Sequence, residues 1–84
     1  MMPRYHFNIA DGGEHRDGDG ADLSDLDAAR QKAVKIAGDL LHHYPTAIWN
    51  GRGWKITVTN DEGLSLFQIL VTGSDAPALI ASLN

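Results

Sequence analysis

The 84-residue chain has no cysteine, which excludes disulfides and thiolate metal sites and fits a reducing, cytoplasmic setting. It has no apolar run near the roughly 20 residues needed to span a bilayer, so a membrane partner is not expected. Its first residues, Met1-Met2-Pro3-Arg4-Tyr5, lack the basic start and apolar stretch of a secretory signal. There is no excess of positive charge either: the net charge is −4, which disfavours non-specific attraction to phosphate backbones. Internal repeats, low-complexity tracts and linkers are also missing.

What is present fits one domain over residues 1–84, with a core over 3–72 and a C-terminal segment over 73–84. Hydrophobic residues make up 43% and charged residues 21%, ordinary values for a folded globular chain. A domain this small has a thin core, so a second subunit is a natural source of extra burial.

Arg4 to Ile9 alternates, with Tyr5, Phe7 and Ile9 on one face and Arg4, His6 and Asn8 on the other, the period of a half-buried strand. Asp11-Gly12-Gly13 ends it with turn chemistry. The polar stretch Glu14–Asp22 reads as loop, or as one brief edge strand near Glu14–Arg16. Ser24 with Asp27 matches a capping box, placing a helix start at Ser24. Leu26, Ala29, Ala33, Ile36, Ala37, Leu40, Leu41 and Tyr44 then form one apolar stripe, which Pro45 stops.

Trp54, Ile56 and Val58 alternate with Lys55, Thr57 and Thr59, and Asn60-Asp61-Glu62-Gly63 reads as a hairpin connection. Leu64–Thr72 is apolar on both faces. A two-residue turn at Asp61-Glu62 pairs Ile56 with Phe67 and Trp54 with Ile69. A three-residue loop with a Gly63 bulge pairs Ile56 with Gln68 instead. The first register is preferred because it keeps the glutamine amide out of the core. Ala78–Leu83 completes a short C-terminal helix that must dock or fray.

The expected fold is therefore α+β: an antiparallel sheet of three to four strands, ordered β-(β)-α-β-β, with one long helix on one face. Leu66 and Leu70 fall on the far face. With Leu79, Ile80 and Leu83 they form the candidate interface, covered either by the C-terminal segment or by a partner chain.

Pro3-Arg4-Tyr5-His6-Phe7, Asp11-Gly12 and the Leu23–Arg30 segment form an ordered set of motifs with Trp49-Asn50-Gly51-Arg52-Gly53-Trp54 and Asp61-Glu62-Gly63. Over about residues 2–71 this set resembles a family of short bacterial proteins, mostly alphaproteobacterial, known only as a domain of unknown function. His6 departs from that pattern, which more often has another aromatic there. The resemblance implies no activity, ligand or catalytic residue. Asp22–Ala33 is similar in topology alone to antitoxins of the HicB type, but the second and third strands before the helix and a DNA-binding segment after it are missing.

Candidate chemistry is sparse. The acidic residues Asp11, Glu14, Asp17, Asp19 and Asp22 invite a calcium reading. Counted from Asp17, the loop has Ala21, Asp22 and Ala28 where that template needs an oxygen ligand, glycine and glutamate. His42 and His43 lie about 100° apart on the helix and match no zinc spacing. Protonated, they suit a helix C-terminus. A hairpin after the first strand could bring His15 towards His6. Ser24, Ser65, Ser74 and Ser82 lack a nucleophile context, and no glycine-rich phosphate loop is present. No catalytic residue, metal or cofactor is assigned.

The candidate binding patch is Arg4, Trp49, Arg52, Trp54 and Lys55, where cations and indoles could meet a base or an acidic peptide. The expected function is a small non-catalytic binding or regulatory module, its partner a protein or a second copy in a homodimer. The alternatives are a nucleic-acid-binding or antitoxin-like module and a metal-dependent enzyme.

Overall fold

The computed structural model describes residues 2–49 and 52–82. Its elements are β1 (Arg4–Ala10), β2 (Glu14–His15), β3 (Ala21–Asp22), α1 (Leu26–His43), a 3-10 turn (Ala47–Trp49), β4 (Trp54–Thr59), β5 (Ser65–Val71) and α2 (Pro77–Ser82). The class is α+β. All pairing is antiparallel, in the order β2-β1-β4-β5, with β3 also on β1.

One face of the sheet carries the core. Tyr5 and Phe7 of β1 and Trp54, Ile56 and Val58 of β4 are buried, while Phe67, Ile69 and Val71 of β5 are half-buried beside them. Ile56 and Val58 are fully enclosed, and burying each contributes roughly 1.5–3 kcal/mol. α1 lies across this face on Ala29, Ala33 and Ala37, all buried. Small side chains at four-residue steps let its backbone approach closely. Its longer stripe residues are less covered: Ile36 and Leu40 pack at the margin, and Tyr44 is exposed.

The helix begins one residue later than the capping box implies. Asp25, in extended backbone, is the N-cap, and its Oδ1 accepts the Ala28 N–H at 2.8 Å. A carboxylate accepts more strongly than a hydroxyl and also complements the helix dipole, so it takes the role expected of Ser24. Asp27 accepts from the Gln31 side chain and makes no capping box.

The hairpin register differs from the one expected. Ile56 pairs with Ile69 and Trp54 with Val71. The turn is the three-residue Asp61–Gly63 loop: Gly63 N–H donates to Asn60 O, and Gly63 sits at φ +81°, a conformation L side chains resist. The Asn60 side-chain oxygen accepts from both Glu62 and Leu64 N–H, fixing the loop length. That loop alone would turn Gln68 inward. A bulge follows, however, because Thr59 pairs with Ser65 and Val58 with Phe67, leaving Leu66 as the extra residue. The bulge moves the ladder one further step and returns Phe67, Ile69 and Val71 to the core face.

The C-terminal segment does not close over the sheet. α2 buries none of its residues. The radius of gyration is 15.5 Å, against about 12 Å for a compact chain of this length. The longest axis is 58 Å and the other two 21 Å, so the helix extends away from the body.

Candidate functional site

The face opposite α1 is open and polar at its β1–β4 side. Strand alternation directs His6 and Asn8 of β1, and Lys55, Thr57 and Thr59 of β4, onto it. The loop between β2 and β3 folds over them, and the β4–β5 turn rises at one end. Together they enclose a groove of about 530 Å³ lined by His6, Asn8, Asp17, Lys55, Thr57 and Asp61, among others.

Asp17 organises this loop. Its Oδ2 accepts the Phe7 N–H at 3.1 Å, its Oδ1 accepts the Gly20 N–H at 3.1 Å, and its own N–H donates to Asn8 Oδ1 at 3.0 Å. Asn8 Nδ2 donates to Thr57 O and Thr59 Oγ1. Burial is the largest influence on the Asp17 carboxyl and pushes its pKa up. The Gly20 and Phe7 amides and the nearby His6 together outweigh it, so the net shift is downward.

His6 bridges two loops. Nε2 lies 2.7 Å from Asp61 Oδ1 and Nδ1 lies 2.8 Å from Asp17 O. Both partners accept only, so the ring satisfies both when it carries two protons. Its pKa is raised, first by the Asp61 hydrogen bond and then by the Asp17 carbonyl, against a smaller opposing effect of burial. Gly20, at φ +73°, runs so close that a Cβ there would meet Arg4 Cγ and the His6 ring at 2.9 Å. Glycine is what lets the loop lie flat on this histidine.

These groups satisfy one another. Both Asp17 oxygens, both His6 nitrogens and both ends of the Asn8 amide are engaged within the chain. Within the groove, these three side chains hold the loop to the sheet. Among the described residues, no set of three or more histidine or acidic side chains is placed to hold a metal. His15 approaches Asp11 at 3.1 Å, not His6. His43 Nδ1 lies 2.8 Å from Asp39 O at the end of α1. A second hollow, of about 430 Å³, lies between the end of α1 and the β1–β2 turn against Ile9, Leu40, Tyr44 and Trp54.

The cationic and aromatic residues of the candidate patch do not come together. Arg4 pairs with Asp22 at 3.1 Å at the start of β1. Lys55 pairs across from Ala10, at the other end of that strand, six residues or roughly 20 Å away. Trp54 is only 4% exposed and belongs to the core. Trp49 is exposed, with its indole over Gly73, and Arg52 is exposed beyond it.

The interface candidates fall differently. Leu66 and Leu70 are 42% and 63% exposed on the open face, and Leu79 and Ile80 are 49% and 52% exposed on α2. Leu83 lies outside the described residues. β5 ends the sheet, and no strand among the described residues pairs with its outer side.

Sequence reasoning missed Asp17, Asp61 and Asn8 as a connected group, because the acidic loop read as solvated. The one local signal was Asp17 placed three residues before Gly20, a spacing suited to a side-chain-closed turn.

Residues 4–72 match the model of a family described as Domain of unknown function (DUF6894), and the chain belongs to that family. No curated protein and no solved structure matches it.

Proposed function

We propose that this DUF6894 protein is a small non-catalytic binding module of the bacterial cytoplasm, and that it docks another protein chain along β5. One observation carries the reading: a seven-residue strand, Ser65–Val71, ends the sheet with no charged residue and no proline in it. Natural sheets blunt such an edge with lysine, proline, bulges or a covering element. Here the single bulge lies near one end, and the rest of the strand is left as a pairing template with Leu66 and Leu70 beside it.

The non-catalytic part is supported by the polar network, in which Asp17, His6 and Asn8 spend their hydrogen bonds within the chain. The nucleic-acid alternative has weaker support, since Arg4 is neutralised by Asp22 and stands far from Lys55. Among the described residues no helix is long and apolar enough to cross a membrane.

Immobilised protein incubated with native lysate is expected to retain protein, its own chains included. The Leu66→Lys/Leu70→Lys variant is expected to lose it. Equal retention by both removes β5 as the docking surface. Turnover in a broad substrate screen, abolished by one surface substitution, removes the non-catalytic reading.

A further inference from the structure

Of the 7 basic and 11 acidic side chains, only Asp75 lies after residue 63. The last quarter of the chain thus joins an uncharged edge strand to an uncharged helix, Pro77–Ser82, that buries none of its residues. The strand also reads nearly the same in both directions about its centre: Leu66-Phe67-Gln68-Ile69-Leu70. Two copies paired antiparallel about Gln68 bring Leu66 of one opposite Leu70 of the other on the open face. Phe67 meets Ile69 on the core face, and the two Gln68 amides meet at the axis. Each is a favourable cross-strand pair.

We propose that the occupant of this edge is a second copy of the chain, joined β5 to β5 across a two-fold axis at Gln68. This rests on the reading of β5 as a docking surface and names the partner. An isologous contact uses one patch twice, so it must be self-complementary, and this strand is. Each copy carries −4, which opposes association in general, yet the paired strands place no charge against its like. Apart from Asp75, the remaining charges are carried by the first 63 residues, which the pairing leaves at the flanks.

The geometry also gives α2 a place. In an antiparallel pair, the end of β5 in one copy lies beside the start of β5 in the other. Thr72–Ala76, five residues, reach at most about 17 Å, enough to cross one inter-strand spacing of about 4.8 Å. Leu79 and Ile80 can then cover the Leu66–Leu70 strip of the other copy. A stable interface needs roughly 800 Å² from each partner. A strand edge about 23 Å long falls short of that alone, and α2 adds the apolar area.

Sedimentation equilibrium of the purified full chain, from micromolar to millimolar, is expected to show a dimer. Leu66→Lys/Leu70→Lys, at exposed positions, should raise the dissociation constant at least about tenfold with the circular dichroism unchanged. Because the chain has no cysteine, Gln68→Cys is a clean register probe: oxidation should give a covalent dimer. Lys35→Cys, on the exposed side of α1, should stay monomeric. A wild type monomeric throughout, or a dimer indifferent to both the lysines and Gln68→Cys, overturns the proposal. A monomer that still loses lysate partners on the lysine substitutions would leave β5 a docking surface for a different protein.

Discussion

The two margins of the sheet are treated in opposite ways. Beyond β1, the margin is broken into β2 and β3, two residues each, which pair with opposite ends of the strand. The loop between them is pinned by Asp17 to the middle of β1, where its carboxylate takes the Phe7 amide that a longer strand would have paired. Beyond β5, seven residues end in open space. A strand edge is a row of unpaired donors and acceptors. At the first margin one half-buried carboxylate and short strands consume that row. At the second, no strand among the described residues does, and that margin is left able to pair.

The sharpest way to break the contrast is to unplug the first margin. Asp17→Ala leaves the Phe7 and Gly20 amides without their acceptor and frees Asn8 Oδ1 if the loop lifts. Hydrogen bonds to a charged group are worth about 1.5–3 kcal/mol each, less when water can replace them. A loss on the order of 2 kcal/mol is expected in urea denaturation, with faster amide exchange along β1. A change under about 0.5 kcal/mol, typical of an unconstrained surface position, would mean that the loop does not seal this margin. The carboxylate is ionised more readily in the fold, so its contribution is present above about pH 3.9 and is lost as the pH falls through the lower folded value.

Much of the contrast was legible in the sequence. Alternation over Tyr5–Ile9 and Trp54–Val58 placed the core face, and the alanine stripe placed the helix. The inward set Phe67, Ile69 and Val71 was identified correctly, although the register was not. The three-residue loop and the bulge at Leu66 each exchange the faces, and together they restore them. Periodicity detects only the sum of such slips. The N-cap was misplaced by one residue because two acceptors, Ser24 and Asp25, stand side by side, and charge decides between them. The Asp17 network was hidden for a different reason. It joins residues 6, 8, 17, 20 and 61, which become neighbours only after β1 has paired, and a lone acidic loop carries no mark of that.

A smaller effect concerns the tie between that loop and the β4–β5 turn. His6 faces Asp61 and the Asp17 carbonyl, with Arg4 close beside it and paired to Asp22. Its pKa is raised in the fold, so the stabilisation is fully present below about pH 6.5 and is lost as the pH rises through the folded value. Thermal midpoints should therefore decline as the pH rises above about 6.5 through the raised folded value, and His6→Gln should flatten that slope. The two proteins differ at this one side chain, so the difference between the two curves reports His6. Parallel curves would show that the histidine does not hold the two loops together.

The smallest effect is expected at the bare margin, and its smallness is the point. In dilute solution, where any association is suppressed, Leu66→Lys/Leu70→Lys should alter the unfolding free energy by no more than about 0.5 kcal/mol, because these leucines are already 42% and 63% exposed. On the same strand, Ile69→Lys places a charge among Ile56 and the core and should cost several kcal/mol. Alternate positions of one strand would then differ severalfold in cost, the signature of a strand whose second face serves something other than its own fold. A loss above about 2 kcal/mol from the leucine pair would mean that α2 packs back on its own sheet in solution, since only such packing gives those side chains that much to lose. The two margins would then both be closed from within, and β5 would have no edge to offer.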